Sequence, residues 1–217
     1  MAMHIEAWFP TVIWSSIIHC VDNLELKKFA YEKQKFDKGR SLSNIGGYQS
    51  NDIISGECHQ VDKLVEYVEQ ELKECCNQVG LNPVKIYNVW VNINPPSSAN
   101  QIHDHKDSII SGVYYVDACE GQGGINFYRS DPAEYFLNDV FPKQTTFNAT
   151  KASYNAKTGA LLLFPSWLKH SVDPNLTQKD RISVSFNFAY SWMCKKNFKY
   201  INSFIAGANG GSAIDLA

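Results

Sequence analysis

Apolar residues recur along this chain with two different periods, and the change falls near Pro83. Val61, Leu64, Val65, Val68, Leu72, Cys75 and Cys76 repeat at three- and four-residue spacing, which predicts an amphipathic helix closing near Gly80. Upstream, Asp22 followed by Glu25 resembles a capping box and opens a helical segment that runs to about Phe36. Residues 38–56, rich in Gly, Ser and Asn, read as loop. Beyond Pro83 the pattern shortens to β-rich runs over 84–93, 109–116, 125–128, 160–164 and 182–189, separated by Gly and Pro/Ser clusters. Helices first and strands later predict a mainly β chain of the α+β class, an antiparallel sandwich or barrel with N-terminal helices packed on one face. The predicted organisation is one domain: 1–82 mostly helical, 83–200 the β core, and 206–217, with three glycines, a loose tail. Residues 131–154 fit no element and are expected to form a lid or substrate loop.

Composition narrows the classes. The 217 residues are 44% hydrophobic, with 12 Phe, 11 Tyr and 5 Trp, enough apolar area for a core without disulfide or metal staples. No apolar run reaches the ~18 residues of a membrane span. Twenty Lys and Arg against 22 Asp and Glu give a net charge of −2, which argues against binding duplex nucleic acid by bulk electrostatics. Six cysteines without a CxxC pair read neither as a secreted disulfide framework nor as a zinc site. The opening residues lack a basic stretch followed by an apolar one, so a signal peptide is not expected. These features predict a reduced, cytoplasmic protein.

Candidate chemistry concentrates in three places. In the run from Gln101 to Asp107, His103 and His105 lie two apart, and on extended chain both imidazoles project to one side as a metal half-site. A buried-looking strand over 160–164 reaches a Pro165 turn and delivers His170. Arg181 then opens a strand whose residues alternate, with Arg181, Ser183, Ser185 and Asn187 on one face and Ile182, Val184, Phe186 and Phe188 on the other. Arginine is scarce here (Arg40, Arg129 and Arg181), and a planar guanidinium beside a hydroxyl suits a carboxylate. Trp90, with Asn88 and Asn92 on its face, is most simply sheet core, although Asn92 or Asn94 could reach a pocket. Tyr114 and Tyr115 also read as strand core, with one expected to face inward, and Tyr115, Asn92 and Asn187 are the candidates to line a pocket.

HxH, a distal His after a Pro turn, and RxS in a late strand together resemble the 2OG-Fe(II) oxygenase family of bacteria and phages. The resemblance spans about 84–189, and the opening WFPTVIW is similar to that family's start. It implies a double-stranded β-helix (jelly roll) that uses Fe(II) and 2-oxoglutarate to hydroxylate a small-molecule or peptidyl substrate with O2, releasing succinate and CO2. It further implies His103 and His170 as first and last metal ligands, with Arg181 and Ser183 receiving the 5-carboxylate of 2-oxoglutarate. The usual triad is two His and one carboxylate. Here His105 stands where the carboxylate belongs, with Asp107 as the alternative ligand if the strand continues, and Asp104 only if the backbone bends. Two rival readings follow from that departure. One is a three-histidine dioxygenase working without 2-oxoglutarate; the other is a non-enzymatic jelly-roll binding module. Monomer and homodimer are both compatible with the sequence.

Overall fold

The structure, a computed structural model, describes residues 3–131 and 143–193. Helix α1 (Asn23–Phe36) starts where the Asp22 carboxylate accepts from the backbone N–H groups of Leu24 (2.8 Å) and Glu25 (3.2 Å). Those donors have no partner inside a helix, so one side chain satisfies two of them. The reciprocal half of the expected capping box does not form. The Asp22 N–H donates to the Gln60 side-chain oxygen, and the Gln60 amide donates to Glu25, so the cap ties α1 to α2 (His59–Gln78). Helix α2 buries Val61, Leu64, Val65, Val68, Leu72 and Cys76, the stripe that the spacing predicts, with Cys75 half-buried. Gly80, at φ +69°, turns the chain out of it.

Eleven strands among the described residues form two antiparallel sheets. The six-stranded sheet runs β1 (Trp14–Ile17), β9 (Ala160–Pro165), β6 (Ile110–Asp117), β11 (Arg181–Ala189), β4 (Lys85–Asn94) and β3 (Tyr48–Gln49). The five-stranded sheet runs β2 (Asn44–Ile45), β5 (Ala99–His103), β10 (His170–Val172), β7 (Gly124–Tyr128) and β8 (Lys151–Asn155). From β4 to β7 and from β9 to β11 the chain crosses from one sheet to the other at each strand, the winding of a double-stranded β-helix.

Period two decides where the core sits. Along β4 and β11, Val89, Val91, Ile93, Val184, Phe186 and Phe188 meet Leu26, Ala30, Leu64, Val68 and Leu72 of the two helices. Each such side chain contributes roughly 1.5–3 kcal/mol on full burial. A second cluster lies between the sheets, built on Val113, Tyr115, Ile125, Phe127, Leu162 and Phe164. The opposite face of β11, which the alternation alone would leave to solvent, is also buried: Arg181, Ser183, Ser185 and Asn187 line a cavity between the sheets.

The five predicted strands form close to their expected limits, and six further strands accompany them. Segments such as WSSI, ANQIH and KASYN carry no apolar run; they become strands because a neighbour offers backbone hydrogen bonds. Three short strands from before residue 82, β1, β2 and β3, join the two sheets, so residues 38–56 are not all loop. Of the unassigned 131–154 stretch, 151–155 is strand β8. Residues 132–142 and the expected tail at 206–217 lie outside the described residues.

Leu64 is completely buried between α2 and the sheet. Leu64→Ala is expected to lower the unfolding free energy by about 2–5 kcal/mol, measured by chemical denaturation, because the rigid sheet below cannot close over the void.

Candidate active site

The cavity between the sheets has a volume of about 540 Å³, within the range of ligand sites. The ladder between β5 and β10 pairs His103 directly with His170, which brings their ring centroids to 4.2 Å. His105 arrives differently from expectation. Strand β5 ends at His103, and His105 lies in the following loop, where its backbone N–H donates to the Ser166 carbonyl (2.9 Å). Its ring centroid is 5.0 Å from that of His170 and 5.2 Å from that of His103. Ligand atoms of all three imidazoles fall within 4.8 Å of one another, the grouping a single divalent ion requires.

Because the strand stops, Asp107 does not share the face of His103. It sits in the turn into β6 at φ +63°, exposed, and outside the imidazole cluster, which corrects its expected role as an alternative ligand. Asp104 lines the cavity and also stands apart from the ligand group.

Each imidazole is fixed by an acceptor at Nδ1. His103 donates to the Gln101 carbonyl (2.7 Å) and His170 to the Leu168 carbonyl (2.9 Å). His105 donates to the Asn187 side-chain oxygen (2.6 Å), with Ser111 Oγ also at 2.8 Å. Carbonyl oxygens only accept, so Nδ1 carries the proton and Nε2 keeps its lone pair in all three rings. Ser43 Oγ lies 3.4 Å from His103 Nε2. Burial disfavours the charged rings, holding His105 down at about 4 and His170 at about 3, with His103 also lowered. Three neutral, oriented imidazoles are the state a metal ion needs.

The other end of the cavity holds Arg181, 1% exposed. Its Nη1 donates to the backbone carbonyls of Gln122 and Asp173. Its Nη2 is buried with no hydrogen-bond partner among the described residues. A guanidinium N–H left unpaired in a low-dielectric site is costly, so this donor calls for an acceptor in the cavity. Desolvation works against the charge and lowers the Arg181 pKa. Ser183, next on the same face, pairs in register with Tyr115 of β6, and its Oγ accepts from the Asn92 amide (3.4 Å). Burial pushes the Tyr115 phenol up to about 12, so it stays protonated and able to donate.

The sequence-derived candidates His103, His105, His170, Arg181, Ser183, Tyr115, Asn92 and Asn187 therefore line one cavity. Sequence reasoning missed Ser111, Ser166 and the Gln122 and Asp173 carbonyls. Ser111 leaves a faint trace as a polar residue in an apolar run, whereas a backbone carbonyl leaves none. Trp90 is core by pattern but also lines the cavity, its ring 5.9 Å from that of His105.

Residues 88–187, within this frame and site, match the family described as "Putative 2OG-Fe(II) oxygenase". No curated protein matches the sequence. Solved structures share the fold at low identity. A prolyl-4-hydroxylase from Pseudomonas putida is 16% identical, with TM-score 0.57 over 83% of this chain and 93% of that one. The viral collagen prolyl hydroxylase of Paramecium Bursaria Chlorella virus-1, solved as a 2OG complex, is 16% identical, with TM-score 0.54 over 80% and 94%. SnoN, an alpha ketoglutarate dependent epimerase from nogalamycin biosynthesis, is 12% identical, with TM-score 0.62 over 83% and 77%.

Asn187→Leu removes the acceptor that orients His105 while keeping the branched shape of the side chain. Metal affinity, followed by Co(II) titration and its visible absorption, should fall about 10–100-fold, with the circular dichroism spectrum unchanged.

Proposed function

We propose that His103, His105 and His170 hold the Fe(II) of this oxygenase through Nε2, and that Arg181, with Ser183 and Tyr115, receives the 5-carboxylate of 2-oxoglutarate. The donor set fits the ion: three neutral imidazoles with locked tautomers suit a divalent transition metal and leave coordination positions for a chelating cosubstrate. The observation that carries the cosubstrate assignment is the buried, unpartnered Nη2 of Arg181 in the same cavity. Bound there, Fe(II), 2-oxoglutarate and O2 supply an oxidative decarboxylation to succinate and CO2 coupled to hydroxylation of a substrate C–H bond.

The chain's own residues do the rest. The fork of Arg181 is held from behind by two carbonyls, so its remaining edge is pre-oriented for a carboxylate. The protonated Tyr115 hydroxyl and the Ser183 hydroxyl stand beside that edge on neighbouring strands. Histidine in place of the usual carboxylate leaves the site one unit more positive, which favours a dianionic cosubstrate electrostatically. The unpartnered guanidinium also weighs against a three-histidine dioxygenase without 2-oxoglutarate, where it would have nothing to bind.

No helix among the described residues is long and apolar enough to cross a membrane. Cys20, Cys58, Cys75, Cys76 and Cys119 are all free thiols, which supports residence in the reducing cytoplasm. The near-balanced charge supports a substrate other than duplex nucleic acid.

Anaerobic addition of 2-oxoglutarate to the Fe(II) protein is expected to produce the visible charge-transfer band of a chelate, and His103→Ala to abolish it. Iron binding with no spectral response to 2-oxoglutarate would sink the assignment. Arg181→Lys keeps the charge but loses the fork. It should raise the KM for 2-oxoglutarate at least about tenfold in a succinate-formation assay, and an unchanged KM would remove Arg181 from this role.

A further inference from the structure

Two of the chain's three arginines line the same cavity, at opposite ends. Arg181 pairs with Asn94 at one end of the β4–β11 ladder. Asn88 and Asn187 pair near the other end, roughly 20 Å along the strand, and Asn187 carries His105. On that side the cavity wall is Trp90, with the Arg40 guanidinium 6.0 Å from its ring centroid.

Arg40 is fixed rather than loose. Its Nε donates to the Ser50 carbonyl (3.0 Å), and its Nη2 pairs with Asp52 Oδ1 (2.9 Å). Those contacts use two of the five guanidinium N–H groups, and Arg40 lines the cavity. The same Asp52 oxygen accepts from the Asn88 amide (3.3 Å), which fixes the orientation of Asn88 and directs its Oδ1 the other way. That Oδ1 is buried and has no hydrogen-bond partner among the described residues. A clamp holding the segment 38–56 on β4 explains the Arg40–Asp52 pair, but it gives no use to the Asn88 oxygen.

Resting on the oxygenase reading above, we propose that this wall is the substrate subsite and that it selects a free α-amino acid. The Nη1 end of Arg40 takes the carboxylate, the Asn88 Oδ1 accepts from the ammonium, and the indole of Trp90 bears against the side chain beside the metal ligands. Charge decides between a zwitterion and a bare anion. Arg40 is already compensated by Asp52, which lies outside the cavity lining, so a carboxylate or phosphate alone gains little there. A ligand that also carries an ammonium gains the hydrogen bond to the unpartnered Asn88 oxygen as well. The cavity of about 540 Å³ has room for two small ligands, 2-oxoglutarate toward Arg181 and the amino acid toward Arg40.

The test uses protein loaded anaerobically with Mn(II) and 2-oxoglutarate, titrated calorimetrically with each of the proteinogenic L-amino acids. At least one should bind. Its methyl ester and its desamino analogue should each bind at least about tenfold more weakly, because the first loses the charge that pairs with Arg40 and the second leaves the Asn88 oxygen unpaired. Arg40→Gln should weaken the same amino acid by a similar factor while the 2-oxoglutarate affinity moves less than about twofold. Wild-type protein that takes up Mn(II) and 2-oxoglutarate but binds no amino acid overturns the inference and leaves the oxygenase reading standing. So does an ester that binds as well as its acid, a result independent of whether the Arg40 variant folds. Failure to bind 2-oxoglutarate at all would bring down both readings together.

Discussion

The antiparallel ladder between β4 and β11 is the constraint on which the rest of the structure depends. Its period of two separates the molecule into two chemistries a few ångströms apart. One face is Val, Ile and Phe under the helices; the other is Asn, Trp, Arg and Ser around the cavity. A slip of one residue would send Arg181 into the helix-packed core and Val184 or Phe186 into the cavity, so register and site are specified together. The bulge between Asn187 and Phe188 lies at the end of the polar face, just beyond the residue that holds His105.

A polar interior of this kind is destabilising unless its groups are paired. Most are: Asn92 bridges Ser183 and Ser185, Ser111 links Ser166 to Asn187, and Asn175 reaches the Asn94 and Lys179 carbonyls. The stability that offsets the cavity comes from outside it, where α1 and α2 cover the far side of the same strands. The groups left unsatisfied therefore stand out. Arg181 Nη2 and Asn88 Oδ1 are two such atoms, one at either end of the cavity, and the two proposed ligand assignments rest on them.

Much of this was legible in the sequence. The α2 stripe and the five stronger strands carry their apolar periodicity in full, and alternation in β11 put Arg181, Ser183 and Asn187 on one face. The three histidines that meet in the cavity were picked out by residue type and context, although the expected geometry was partly wrong. His105 joins His103 through a loop anchored by Ser166, not through a continued strand, and the exposed turn at Asp107 follows from that. What stayed hidden was long-range or backbone in origin. Edge strands such as WSSI and KASYN owe their conformation to neighbours. The carbonyls of Gln122 and Asp173 that brace Arg181 belong to no residue type at all. The capping box was half right, because Gln60, distant in sequence, could offer the Asp22 N–H a partner that Glu25 then shared.

The three imidazoles do not belong to one sheet. His103 and His170 sit on the five-stranded sheet, whereas His105 is moored to Asn187 and Ser111 of the six-stranded one. An ion held by all three is a rivet through the sandwich, joining the layer that the helices back to the layer that nothing described covers. On the proposed ligation, loading the centre would be a mechanical event as well as a chemical one, because the free energy of ligation would be shared with the cohesion of the two layers.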